Sequence, residues 1–198
     1  MKSDWKDQWK LALKGHASLV DLHSSLRDEI MSRWDRSLPF NEELFDRWER
    51  ARFLHFGKGS SIYDSSLVIG DVTVGEHTWV GPFTILDGSG GLSIGSYCSI
   101  SSAVQIYTHD SVKWALSGGK QDYEYGPVKI GDCSYIGPLS VITKGSTIGS
   151  HCLIGANSLI NKHIPDYSIT HGSPCCIVGE VKLKDDGRVD LVFFQDQQ

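Results

Sequence analysis

Aliphatic residues recur every six positions through most of this chain. Ile62, Val68, Val74, Val80 and Leu86 open the series. It resumes at Ile94, Ile100 and Ile106 after the glycine-rich stretch Asp87-Gly88-Ser89-Gly90-Gly91, which is expected as a loop at a coil corner. It resumes again at Ile130, Ile136, Ile142, Ile148, Ile154 and Ile160, which makes fourteen hexads in all. A helix repeats its side chains at 3.6 and a simple strand at 2, so neither carries this pattern. A short strand plus a turn does, stacked coil on coil as a parallel β-helix. The aliphatic residue then points inward. Four positions later stands a small residue, as at Ser66, Thr78, Thr84, Cys98, Ser134, Ser140, Ser146, Cys152 and Ser158, where the chain bends around a narrow interior. The 21 glycines exceed the ~14 that average usage predicts, and Gly, Asn and Asp suit the backbone of the turns.

The repeat has flanks of other kinds. Residues 1–57 read as helix, with Leu19, Leu22, Leu26, Ile30 and Trp34 on one face. Asn41 is expected as an N-cap, Glu42 and Glu43 in the first turn, Leu44, Phe45, Trp48 and Ala51 as the apolar stripe, and Gly57 as the stop. The aromatic residues here are expected to pack on the next domain. Residues 58–179 form the β-helix, with a long excursion at about 107–129. Residues 180–198 read as a hairpin around Asp186-Gly187 that covers one open end of the β-helix, otherwise an adhesive edge, with Gln195 to Gln198 frayed.

Composition narrows the function. A net charge of −5 argues against a nucleic-acid partner held by phosphate neutralisation. No run approaches the ~20 apolar residues of a membrane span, and Met1 to Lys10 lacks the apolar core of a secretion signal. Five cysteines without a CxxC pair suggest a reduced, cytoplasmic chain in which they serve as small apolar residues. No cysteine–histidine spacing suggests a metal.

His109, in Ile106-Tyr107-Thr108-His109-Asp110, stands where a rigid coil meets the long excursion. That is a suitable place for a general base, and also an ordinary place for a surface histidine. Asp110 is a candidate to orient it. Trp114, Tyr123 and Tyr125 in the excursion either stack on a sugar or pack on a neighbouring subunit.

The stretch from Gln105 to Gly137, and the stretch from Asn161 to Val181, resemble the hexapeptide-repeat acyltransferases, in particular the galactoside and maltose acetyltransferases that modify sugars. The resemblance covers roughly residues 60–179. It implies a left-handed β-helix of four to five coils and a homotrimer with active sites between subunits. It also implies acetyl-CoA as co-substrate, with direct transfer to an acceptor deprotonated by His109. Ala156, Asn161 and Lys162 fall where the family lines the coenzyme, and Lys162 is either a phosphate partner or a surface lysine. The family's oxyanion N–H falls at Pro138, which has none, so Gly137 is the substitute. A family arginine falls at Cys176, which turns attention to Lys144, Lys182 and Lys184. Asp87 matches an acceptor-binding aspartate, or else forms a turn before Gly88. An acceptor-binding asparagine falls at Pro82, so acceptor recognition differs. A zinc enzyme on the same fold needs two histidines five apart, which this chain lacks.

The leading expectation is an acetyl-CoA-dependent sugar O-acetyltransferase of glycan metabolism. The alternatives are an N-acetyltransferase of an amino sugar nucleotide, an antibiotic acetyltransferase, or a non-catalytic scaffold.

Overall fold

The computed structural model describes residues 5–194, with side chains from residue 15 onward. The expectations for Gln195–Gln198, and for the side chains of Trp5 and Trp9, lie outside the described residues. The chain divides into two compact units, Met1–Asp46 and Arg47–Gln198.

The first unit holds α1 (Trp5–Trp34) and α2 (Phe40–Leu44). The His23 ring of α1 meets Glu43 Oε2 at 3.0 Å and stands edge-on to Phe40 at 5.1 Å. The apolar stripe is helical as its spacing predicts, but Leu19, Leu22 and Trp34 are exposed. The expected single helix after Asn41 is two. Pro39 occupies the cap position of α2, placing Asn41 inside the first turn, and extended backbone at Phe45 ends the helix.

Helix α3 (Arg47–Phe53) opens the second unit. His55, in the left-handed region at φ 57°, closes it. The Phe56 N–H reaches Ala51 O and the His55 N–H reaches Arg52 O, both at 3.0 Å, while the Phe56 and Ala51 side chains are buried together. Gly57 therefore lies beyond the helix stop and already joins the first coil. Its N–H donates to Val74 O at 2.8 Å, and a Cβ there would meet Gly75 C at 2.3 Å.

The β-helix has three faces of short parallel strands. The first contains Ser61–Ile62, Trp79–Val80, Ser99–Ile100, Tyr135–Ile136, Leu153–Ile154 and Ser168–His171. On the second, Val68, Leu86, Ile106, Ile142 and Ile160 stack in register, one from each coil. The third is built by Val74, Leu92 to Ile94, Val128–Ile130, Thr147–Ile148 and His163–Ile164. The fourteen repeat residues line the interior. Thirteen are buried and Val68 is partly so.

Three features depart from expectation. The stack has five full turns and the start of a sixth, because Ile164 and Ile169 continue it. Ile164 follows Ile160 by four residues and so breaks the period. The stretch Asp87 to Gly91 is no loop but part of one strand, Ile85–Ile94, that rounds a corner paired with Leu67–Val74. At nine of the fourteen repeats the position three after the aliphatic residue is left-handed, and several of these, as well as Tyr167 after Ile164, hold bulky residues, with His77, Phe83, Tyr97, Leu139, His151 and Tyr167 at φ 54–62°. Ring stacking, His77 on Tyr97 and His151 on Tyr167, both at 5.0 Å, helps hold those strained residues in place.

The small corner residues also do more than save space. Ser66 Oγ donates to Gly81 O at 2.8 Å and accepts the Thr84 N–H at 3.2 Å. Ser140 repeats the bridge to Gly155 O and from the Ser158 N–H. Cys98 and Cys152 occupy the same slot, each Sγ lying 3.1 Å from a carbonyl. Burial pushes both thiols up, so they keep their protons and act as weak donors. At the far end, Cys176–Leu183 pairs antiparallel with Ser168–His171 and then with Val189–Phe193, extending the first face and covering its edge.

Candidate active site

The site forms where the second face turns into the third. The excursion leaves the coil at Thr108 and returns at Gly126, whose N–H donates to Thr108 O at 2.8 Å. It is an ordered arm. His109–Asp110 pairs antiparallel with Glu124–Tyr125, and α4 (Val112–Leu116) lies between the two strands. The Gly119 N–H closes α4 on Trp114 O at 2.8 Å, and Ser117 Oγ accepts the N–H groups of Lys120 and Gln121. Strand alternation sorts the side chains. Asp110 and Glu124 meet Lys144 at 3.2 and 2.9 Å, and Lys113 meets Glu124 at 2.5 Å. On the other side, the His109 ring stacks with Tyr123 at 6.1 Å and Tyr125 at 5.8 Å.

His109 Nδ1 lies 2.6 Å from Asp87 Oδ2. Asp87 is 1% exposed. Its carboxylate also accepts the Ser89 N–H and hydroxyl at 3.0 and 2.5 Å, and the Thr108 N–H at 2.9 Å. Burial pushes this carboxyl up, but the hydrogen bonds from Ser89, Thr108 and His109 outweigh it and hold it at about 2. Asp87 is thus ionised, buried and engaged by Ser89, Thr108 and His109, and its carboxylate does not stand open on the surface as expected of an acceptor-binding residue. Asp110, the expected partner of His109, is occupied by Lys144 and the Val112 N–H.

The other candidates separate. Leu86, Ile106, Ile142 and Ile160 align in register, so Thr108, Lys144 and Lys162 leave the second face at one edge. Lys162 stands two coils from Thr108, roughly 10 Å at the usual strand spacing. It is exposed, as is Asn161, and makes no ion pair among the described residues. Lys144 is taken by the arm, Lys182 by Glu180 at 2.8 Å and Lys184 by Asp190 at 2.7 Å. Ala156 is exposed at the preceding corner, beside Gly137. The Gly137 N–H is not available as an oxyanion donor, because it donates to Ile154 O at 2.8 Å within the stack. The glycine itself is required by space, since a Cβ there would meet the Ala156 N at 2.5 Å.

Residues 127–162 match the bacterial transferase hexapeptide model of six repeats. The chain is 30% identical to galactoside O-acetyltransferase of Escherichia coli (strain K12) over 135 residues, 57% of this chain and 66% of that protein. It is 28% identical to a probable acetyltransferase of Mycobacterium tuberculosis over 138 residues, 68% of this chain and 45% of that protein. The chain therefore spans about half to two thirds of the length of these relatives. A hexapeptide-repeat-containing acetyltransferase of Vibrio cholerae, solved with acetyl coenzyme A, superposes with a TM-score of 0.55 at 26% identity, covering 84% of this chain and 88% of that one.

Proposed function

We propose that this chain, which belongs to the hexapeptide-repeat acyltransferases, transfers an acetyl group from acetyl-CoA to a sugar hydroxyl. The observation that carries the reading is the 2.6 Å contact between His109 and the buried Asp87 at the root of the arm. A carboxylate bound at Nδ1 fixes that nitrogen as the N–H and leaves Nε2 as the proton acceptor.

Nε2 takes the proton of the acceptor hydroxyl as its oxygen attacks the thioester carbonyl carbon. The C–O bond forms, the carbonyl electrons move to oxygen, and a tetrahedral anion results. Its collapse breaks the C–S bond, and the leaving sulfur takes the proton back from the imidazolium. General base catalysis of this kind contributes roughly 10²–10⁴-fold. Asp87 is a positioning residue: it fixes the tautomer and stabilises the imidazolium. Lys162, two coils away on the same edge, holds a coenzyme phosphate, and Asn161 and Ala156 line the coenzyme. The sites lie between subunits of a homotrimer. The five free thiols support a reducing, cytoplasmic setting.

Isothermal titration with coenzyme A and acetyl-CoA tests the donor. Saturable binding weakened by Lys162→Ala supports it, and no binding at millimolar coenzyme defeats it. His109→Ala then has to abolish transfer without abolishing that binding.

A further inference from the structure

Resting on the reading of His109 as the base, we propose that Trp114, Tyr123, Tyr125 and Asp122 form a platform for an acceptor glycan longer than one sugar ring. These four residues line an open groove of about 630 Å³ on the arm. The groove is open rather than enclosed, so it suits a ligand laid along its rings, and two successive ring-to-ring steps carry it past the base. The rings lead away from the base in sequence: His109 stacks with Tyr123 at 6.1 Å, and Trp114 stands edge-on to Tyr123 at 5.8 Å. A glycan whose reacting hydroxyl lies at His109 would place its next ring over Tyr123 and Trp114.

The chemistry of the groove selects a carbohydrate. A pyranose has apolar C–H faces that cover aromatic rings, and a rim of hydroxyls that a carboxylate accepts in pairs. Asp122 is exposed and makes no ion pair among the described residues, whereas its neighbour Glu124 is bound to two lysines. The groove is lined by a carboxylate and no cation, which disfavours a phosphate at this point. Trp114, Tyr123 and Tyr125 are 41–60% exposed, so they are not spent on the core of the chain. The lysine ties beneath the arm hold the rings in place before binding, which lowers the ordering cost.

The test measures transfer from acetyl-CoA to mono-, di- and trisaccharides of glucose, galactose and N-acetylglucosamine, with light scattering on each variant. The expected result is a kcat/KM at least about tenfold higher for the best trisaccharide than for its monosaccharide. Trp114→Ala should raise KM for the trisaccharide about tenfold more than for the monosaccharide, and Trp114→Phe should restore much of the difference. Equal use of short and long acceptors overturns the proposal. So does a change of oligomeric state in Trp114→Ala, which would assign the rings to subunit packing. Acetyl-CoA binding without transfer to any of these sugars overturns the platform and the sugar reading together, while loss of acetyl-CoA binding by the native protein is the separate failure of the transferase reading.

Discussion

His109 and Tyr125 face each other across the antiparallel pair at the root of the arm. That single register decides what each side of the arm does. His109, Tyr123 and Tyr125 share one side, and Asp110 and Glu124 share the other, where Lys144 joins both carboxylates to the adjacent coil.

Lys144→Met should therefore loosen the arm without unfolding the β-helix. Ion pairs in half-buried surface positions contribute modestly to global stability, so Tm should change little. Limited proteolysis between residues 111 and 123 should accelerate and kcat/KM should fall. Unchanged proteolysis and unchanged kinetics would show that the pairs do not hold the arm.

Asp87→Asn should lower kcat roughly 10²-fold, since an amide can hold the imidazole in the wrong tautomer and cannot stabilise its cation. Coenzyme binding by titration should stay near the native value. A kcat within about twofold of native would remove Asp87 from the mechanism.

The same carboxylate should mark the acid limit of stability. Its folded value of about 2 lies below the ordinary aspartate value of ~3.9. The depressed value contributes on the order of 2 kcal/mol, fully present above about pH 4 and lost as pH falls toward 2. Urea unfolding should show native protein more stable than Asp87→Asn at about pH 6, with the gap closing near about pH 2.5. A gap that stays constant would mean that charge at Asp87 is not what stabilises the corner.

Ile136 is fully buried in the middle of the stack. Ile136→Ala should cost about 2–5 kcal/mol, measured by chemical denaturation. Leu139, three residues on, is exposed at φ 62°. Leu139→Gly removes the left-handed strain of about 1–2 kcal/mol and should be neutral or stabilising. A large loss there would show that its side chain packs on something beyond this chain.

The interior is readable in the sequence because its period is long and regular: one aliphatic residue per hexad leads straight to Ile100, Ile136 and Ile154. The last turn is hidden because His163-Ile164-Pro165 shortens a hexad. The Asp87–His109 contact is hidden for a different reason. The two residues are 22 apart, on adjacent coils, and the glycine-rich run between the hexads obscures which coil level each occupies. The Tyr123-Glu124-Tyr125 alternation is a usable signal of a strand within the excursion, and it points both rings to the side of His109. Gly137 shows the limit of reading a glycine by its place in a motif: its N–H is committed to the neighbouring coil, and only the three-dimensional placement of Ile154 reveals it.

The arm leaves at Thr108 and returns at Gly126, whose N–H closes the two ends on each other, and it is tied to the coils at Asp87 and at Lys144. The tip between Val112 and Asp122 can therefore drift or lengthen while the hexads, answerable to their neighbours, stay as they are, whereas His109 and the two carboxylates that meet Lys144 are fixed to the coils beneath them.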